Sequence, residues 1–162
     1  MYRLADEPGH CVALIHADAI GRFDTPSTHA QREMDALLKL RARGFRTVQT
    51  YRLVRIADRV GIEQAYLPQA KSSMDIVRAP SNVPEGQYLT QRTVEQCNAT
   101  IATLRKSATV IDDLQFLVEP QGDIHISDPR AVTDGDPEKN VDTVKALRGA
   151  AIERLLCSDD EE

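Results

Sequence analysis

Three aspartates surround one short segment of the chain, residues 111–129, which reads IDDLQFLVEPQGDIHISDP. Asp112 and Asp113 precede one apolar run, and Asp128 ends a second run directly before Pro129. Carboxylates in fixed positions are the groups that hold Mg²⁺ against phosphates and that orient a hydroxyl for phosphoryl transfer. The segment is therefore the first candidate for chemistry in this sequence.

A hairpin would hold these acids in place. Gln121 and Gly122 predict its turn, and the run after them alternates apolar and polar residues like a strand with one buried face. Magnesium needs only a few protein oxygens because it keeps several waters. Gln115 or Asn140 would supply an amide oxygen beside Asp128.

Each of these features also has a purely structural explanation. Aspartate is common in turns, so Asp112 and Asp113 are equally explained as turn residues, and Asp128 as a strand end with an Asx turn. His125 alternates with isoleucines and is expected to face outward as a polar residue. Cys97 lies on the apolar face of a predicted helix and is expected to pack in the core, since no neighbouring group would activate it.

Composition excludes several classes of function. A chain of 162 residues predicts one compact domain, or one domain with two small lobes. The net charge of −5 and the scarcity of aromatics make nucleic-acid binding an unfavourable hypothesis. No apolar run approaches the roughly 20 residues of a membrane span. Scattered histidines and cysteines show no zinc-ligand spacing.

The same composition predicts a location and leaves one basic surface to consider. Three separated cysteines and the lack of a signal-peptide pattern favour a reduced, cytoplasmic protein, or one delivered into a target cell. Residues 41–59 carry six arginines, which surface charge explains but which leave a local basic groove as an alternative: Arg41, Arg43, Arg46, Arg52, Arg55 and Arg59.

The first half of the chain predicts a small antiparallel sheet with one helix packed on it. Thr25 is a capping residue and Pro26 suits the first helical position, so the helix is expected over residues 27–43. Alternating apolar and polar residues predict three strands, at 11–18, 47–57 and 61–67.

The second half predicts mainly helices. Residues 71–88 are rich in Ser, Pro, Asn and Gly and indicate a connector with a short helical turn at most. One helix is expected over residues 90–106, and another begins at Pro137, with Asp136 as its cap. The predicted core consists of Leu37, Leu38, Leu53, Ile101, Leu104, Leu114, Leu117, Ile124, Ile126, Leu147 and Leu155.

This order of elements, with the segment DLQFLVEPQGDIHISDP, resembles a heavily trimmed protein-kinase-like fold of the bacterial effector or toxin type. The resemblance covers roughly residues 10–132. It implies an α+β, two-lobed architecture with a small antiparallel sheet and one helix, followed by a mainly helical lobe that contains a hairpin. The implied division is a small β-rich lobe at 1–70, a connector at 71–89, and a helical lobe at 90–162 with the hairpin at 114–128.

The resemblance also implies roles for single residues. Asp113 would be the catalytic carboxylate and Asp128 the catalytic metal ligand. Glu33, or Asp35 as an alternative, would stand on the helix of the first lobe, and YLPQAKSSMDI would be the hinge. The implied cofactor-binding residues are Glu33, Gln69 and Gln115, and the implied cofactors are Mg²⁺ and ATP.

The sequence departs from the kinase pattern at three places. The strand HCVALIHAD has no lysine where that family keeps the one that grips phosphate, so Arg22 or His16 would have to replace it. A glycine-rich phosphate loop is not visible. The asparagine expected five residues after Asp113 is Val118.

Two functions from different classes follow. One is an effector or toxin-type enzyme for Mg²⁺-dependent phosphoryl or nucleotidyl transfer that uses Asp113 and Asp128. The other is a non-catalytic, pseudokinase-like module that binds a protein partner, as an inhibitor, an immunity-like protein or a host-binding effector. The missing lysine favours the second function, and the three acids at the matching hairpin favour the first.

Overall fold

The computed structural model describes residues 2–3, 9–16, 24–79 and 87–159, and it shows an α+β fold with small antiparallel sheets. This confirms the predicted fold class. The strands are β1 (Tyr2–Arg3), β2 (His10–Leu14), β3 (Thr50–Ile56), β4 (Arg59–Ala65), β5 (Lys71–Ser72), β6 (Thr109–Asp112), β7 (Gln115–Val118), β8 (Ile124–Ser127) and β9 (Ala131–Asp134). The helices are α1 (Pro26–Ala42), α2 (Ser73–Arg78), α3 (Gln91–Ser107) and α4 (Glu138–Asp159).

The first sheet has the strand order β1-β2-β4-β3, and helix α1 packs against it through Ala30, Val60 and Ile62. Helix α1 begins as predicted, because the Thr25 side chain accepts a hydrogen bond from the Thr28 backbone N–H at 3.1 Å and Pro26 is the first helical residue. The predicted strands appear as β2 and β3, which are shorter than expected, and β4, which begins two residues earlier than expected. Residues 17 and 18 of the first predicted strand lie outside the described residues.

The inward face of helix α1 differs from the expected one. Its buried residues are Ala30, Glu33, Ala36, Leu37 and Leu40, which follow helical spacing. The prediction of a buried Leu38 is wrong, because this side chain lies one step off that face and is 47% exposed. The consequence for function is that an acidic residue, Glu33, stands on the buried face.

The expected connector is more structured than predicted. Strand β5 pairs with β7, with Lys71 opposite Val118, and α2 is a six-residue helix whose Ile76 is fully buried. The Ser-rich composition that suggested a loop instead supplies a helix cap, since the Ser72 hydroxyl accepts a hydrogen bond from the Met74 N–H at 3.3 Å. Residues 80–86 lie outside the described residues.

The larger core forms where α3 and α4 pack against the strands of the second half. Six members of the predicted core are buried, and the rest, apart from Leu38, are half-buried. The buried ones are Leu37, Ile101, Leu104, Ile124, Ile126 and Leu147, and the half-buried ones are Leu53, Leu114, Leu117 and Leu155. Helix α4 begins at Glu138, one residue later than predicted, and the Asp136 carboxylate accepts the Glu138 N–H at 3.1 Å.

Sequence reasoning missed the sheet of β6 and β9. Its four residue pairs run from Thr109 opposite Asp134 to Asp112 opposite Ala131. Each strand has only four residues, and a strand this short gives a weak alternation signal. This sheet turns out to position the candidate site.

The first and second halves of the chain share core and backbone contacts. The Val48 N–H donates to the Ile126 carbonyl at 3.0 Å, and the Ile126 N–H donates to the Arg46 carbonyl at 3.0 Å. Leu40 and Phe45 belong to the same buried cluster as residues of α3 and α4. The division at 1–70, 71–89 and 90–162 stays a prediction. Within the described residues, no helix combines the length and apolar character required to span a bilayer.

Candidate active site

Two short connections between strands, residues 113–114 and 128–130, carry the candidate acids and are called the corners below. The chain leaves β6 at Asp112, passes through Asp113 and Leu114, and enters β7 at once. Asp113 has φ 58° and Asp128, which follows β8, has φ 50°. Non-glycine residues with positive φ are uncommon and concentrate at functional sites, and aspartate tolerates this conformation better than most residues. Both acids therefore sit where the β6–β9 pairing ends and the β7–β8 pairing begins.

Strand register brings these two corners side by side. Asp112 pairs with Ala131 in the β6–β9 sheet, and Gln115 pairs with Ser127 in the β7–β8 hairpin. The segments between these pairs, 113–114 and 128–130, must then lie next to each other. The Arg130 N–H donates to the Asp112 carbonyl at 3.1 Å and ties the second corner to the first.

The corners face a cleft of about 280 Å³ whose opposite wall comes from the first sheet and helix α1. This volume lies close to the lower end of the roughly 300–1,000 Å³ typical of small-molecule sites. The lining residues are Ala13, Leu14, Ile15, His16, His29 and Glu33 on one side and Asp113, Asp128, Pro129 and Arg130 on the other. Three of the predicted site residues, Glu33, Asp113 and Asp128, thus meet in one cleft.

Glu33 is a buried acid in contact with a second acid. Burial, the charge of Asp128 and a side-chain hydrogen bond with Asp128 together raise the pKa of the Glu33 carboxyl to about 8, with burial as the largest cause. Near neutral pH, Glu33 therefore keeps its proton and donates it in the hydrogen bond to the Asp128 carboxylate. The imidazole Nε2 of His29 lies 3.9 Å from Oε2 of Glu33, one helical turn away.

Asp113 has a neighbour for each carboxylate oxygen. The Gln115 amide donates to Oδ1 at 3.0 Å, and the Arg130 guanidinium Nε lies 3.6 Å from Oδ2. Since the amide nitrogen of Gln115 faces Asp113, its oxygen is the atom left to bind a cation. Sequence reasoning did not single out Arg130; its signal was a basic residue two positions after Asp128.

Three arginines of residues 41–59 form ion pairs away from the cleft. Arg43 pairs with Asp134 at 2.6 Å, Arg46 with the buried Asp123 at 3.3 Å, and Arg52 with Glu63. The cation beside Asp113 is Arg130.

Other predicted residues lie away from the acids. Gln69 follows β4 with φ 67°, and its carbonyl accepts the Tyr88 hydroxyl at 2.8 Å, so its cofactor role stays a prediction. Asn140 is buried, and its amide exchanges two hydrogen bonds of 2.8 Å with the Ile111 backbone. The expectation that Asn140 supplies a metal-binding oxygen is therefore wrong.

Three further residues from the sequence analysis have defined surroundings. The Asp35 carboxylate accepts the Gln31 side-chain amide at 2.8 Å, on the exposed side of α1. His125 contacts Glu119 at 2.8 Å. Burial raises the pKa of the Cys97 thiol to about 12, which fits core packing rather than a nucleophile.

The replacements considered for the missing lysine have different positions. His16 lines the cleft, whereas Arg22 lies outside the described residues. Val118 is fully buried, because β7 begins only two residues after Asp113 and carries the chain into the core. The kinase asparagine has no equivalent at this position, and Gln115 is the amide side chain that stands beside Asp113.

Asp113 and Asp128 of the cleft, together with the Gln115 amide that contacts Asp113, are side chains of the kind that a kinase magnesium site uses. Within the described part of the chain, no group of three or more His, Cys, Asp or Glu side chains is arranged to hold a metal. Magnesium bound together with phosphates needs only one or two carboxylates, because phosphate oxygens and waters complete its shell. Asp128 and the Gln115 oxygen are oxygen donors of this kind.

Comparison with known proteins identifies the family of this chain. The family described as the type III secretion system effector HopBF1 kinase domain matches residues 1–155. The chain belongs to the HopBF1 kinase-domain family. The type III effector protein HopBF1 of Pseudomonas syringae pv. syringae (strain FF5) is 31% identical over 160 residues, which cover 99% of this chain and 79% of that protein.

Membership of this family confirms the prediction that the chain is a kinase-like domain and that it belongs to the effector class. This HopBF1-family chain is a kinase-like domain of bacterial effector type, with an α+β fold built on small antiparallel sheets.

Proposed function

We propose that this HopBF1-family domain transfers the γ-phosphoryl group of ATP to a hydroxyl group of a protein, with Mg²⁺ as cofactor. The observation that carries the proposal is the pairing of the two corners, which presents Asp113 and Asp128 to one cleft. Phosphoryl transfer requires one carboxylate to orient the acceptor hydroxyl and another to hold the metal.

Each side chain has a proposed role. Asp113 orients the acceptor hydroxyl and accepts its proton. Asp128, with the Gln115 oxygen, holds Mg²⁺, which neutralises charge that develops on the phosphates. The protonated Glu33 orients the Asp128 carboxylate through their hydrogen bond. The hinge around Gln69 would contact the nucleotide base.

The setting of the reaction follows from the relatives. A type III effector acts after delivery into another cell, and the matching relative carries that name. We therefore place the activity of this chain inside a target cell, with a host protein as acceptor and with ATP taken from the host.

The test compares two charge-removing variants, Asp113→Asn and Asp128→Asn, with Asp58→Asn as the control. Asparagine keeps the shape and accepts positive φ, so folding should be unchanged. We expect each site variant to lower the rate of [γ-³²P]ATP transfer by about 10²–10⁴-fold. Asp58 is exposed between β3 and β4, and its variant should retain activity.

Two outcomes would contradict the proposal. Label transferred from [α-³²P]ATP but not from [γ-³²P]ATP would establish nucleotidyl transfer instead. Full activity in both site variants would show that the acids are only turn residues.

A second candidate function is a non-catalytic, protein-binding module on the same scaffold. The specific observation in its favour is that β2 carries no lysine to grip phosphate. The decisive result would be a wild-type protein that binds a host protein but neither ATP nor Mg²⁺, with partner affinity altered by Asp113→Asn.

A further inference from the structure

Negative charge in the cleft opposes the binding of a triphosphate. The carboxylates of Asp113 and Asp128 line it beside the protonated Glu33, and ATP adds several negative charges of its own. The kinase pattern places a lysine on the strand equivalent to β2, yet the first lysine in this sequence is Lys39. Its ammonium donates to the Val132 carbonyl at 3.0 Å, near the end of α1.

Arg130 is the permanent cation of this cleft. Among the described residues that line it, Arg130 is the only arginine or lysine. Its backbone is fixed, because Pro129 precedes it and its N–H donates to the Asp112 carbonyl at 3.1 Å. A histidine such as His16 carries charge only when protonated, whereas arginine is always charged.

The backbone of Arg130 is fixed, but its side chain is held only by a weak ion pair. Its side chain is 70% exposed, and the separation of 3.6 Å from Asp113 is long for a strong charge-assisted hydrogen bond. Exposed ion pairs of this kind contribute little free energy. A phosphate group that enters the cleft can therefore displace Asp113 from the guanidinium.

We propose, on the basis of the ATP-dependent function above, that Arg130 binds the terminal phosphates of the nucleotide and replaces the lysine absent from β2. The planar guanidinium suits two phosphate oxygens at once. When it moves to the nucleotide, it leaves Asp113 free to receive the acceptor hydroxyl. Nucleotide would then bind before the acceptor protein.

The experiment measures AMP, ADP and ATP binding by calorimetry with Mg²⁺ present, using wild type, Arg130→Ala and Arg130→Lys. We expect Arg130→Ala to weaken ATP binding about tenfold or more and AMP binding less than about twofold, since a hydrogen bond to a charged group is lost only at the far phosphates. Arg130→Lys should recover part of the loss, because it restores charge without the planar fork. Arg55→Ala removes an exposed arginine of β3 and should change neither affinity.

Four results would overturn the inference. Equal losses for AMP and ATP would mean a general disturbance of the cleft. Unchanged ATP affinity with a shifted pH profile of kcat would mean that Arg130 only positions Asp113. An ATP-specific loss in Arg22→Ala but not in Arg130→Ala would assign the phosphate contact to Arg22. If the wild-type protein does not bind nucleotide, the proposed function itself is wrong. Unchanged ATP affinity in Arg130→Ala would contradict only the role of Arg130.

Discussion

The two walls of the cleft rest on hydrophobic cores of different size. The wall formed by β2 and the start of α1 lies on a small cluster whose buried members, among the described residues, are Ala30, Val60 and Ile62. The wall with the acid corners lies on a much larger cluster that runs from the hairpin through α3 to α4 and includes Ile126 and Leu104.

This difference in core size indicates which wall of the site is rigid and which wall can open. The strands that hold Asp113 and Asp128 are anchored by the large core, so their mutual geometry should persist whenever the domain is folded. The opposite wall has few buried apolar contacts and should open at lower free energy. Helix α1 joins the two, because Ala30 packs in the small core and Leu40 in the large one, with Glu33 between them.

The largest effect is expected from Leu104→Ala in the large core. Leu104 is fully buried, so its truncation should lower the free energy of unfolding by about 2–5 kcal/mol. Urea denaturation measures the change, and Leu38→Ala is the matched control, because this exposed leucine should cost less than about 0.5 kcal/mol. Similar losses for both variants would contradict the assignment of the core.

Glu33→Gln is expected to raise the free energy of unfolding, by a large amount at alkaline pH. The folded-state pKa of Glu33 is raised to about 8, so the unfolded chain loses its proton first as pH rises. Wild-type stability should therefore fall between about pH 4.5 and pH 8 and then level off. The variant should lack this fall and be more stable at pH 8 by an amount on the order of 2–4 kcal/mol.

Urea denaturation at pH 5, 7 and 8.5 in the presence of EDTA checks this prediction. EDTA keeps divalent cations away from Asp128, so the comparison reports the acid pair alone. Parallel pH dependences for wild type and variant would show that Glu33 ionises as an ordinary surface acid.

An intermediate effect is expected at the hairpin turn that supports the acid corners. Gly122 has φ 94°, and a Cβ there would lie 2.0 Å from the Thr90 hydroxyl oxygen. Gly122→Ala should therefore destabilise the domain by about 1–3 kcal/mol through overpacking and backbone strain. The control is Gly149→Ala in α4, where a Cβ meets nothing within 4 Å and helix propensity predicts a gain of up to about 1 kcal/mol. Thermal midpoints that move in the same direction would contradict this distinction.

The smallest effect is expected from Ile62→Val in the small core. Removing one methylene from this fully buried side chain should cost about 0.5–1.5 kcal/mol. Hydrogen exchange should show faster opening of β2 and β4 with unchanged protection of α3, because the two cores open separately. A uniform rise in exchange across both regions would mean that the domain has one cooperative core.

The sequence predicted the elements that have strong local signals. Thr25 and Pro26 mark the start of α1, and Asp136 marks that of α4, because caps act through neighbouring backbone groups. The spacing of Cys97, Ile101 and Leu104 likewise identified the inward face of α3. The resemblance of the segment around Asp113 and Asp128 predicted a kinase-like domain of bacterial effector type, which the comparisons confirmed.

Only the tertiary structure decided how the site is assembled. The pairing of β6 with β9 joins distant residues, from Thr109 with Asp134 to Asp112 with Ala131, and leaves little trace in four-residue strands, yet it sets the two corners side by side. The same pairing brings Arg130 to Asp113, and the packing of α1 between two cores brings Glu33 to Asp128. Local sequence fixes backbone conformation through short-range sterics and caps, whereas these contacts depend on strand register and helix packing between distant segments.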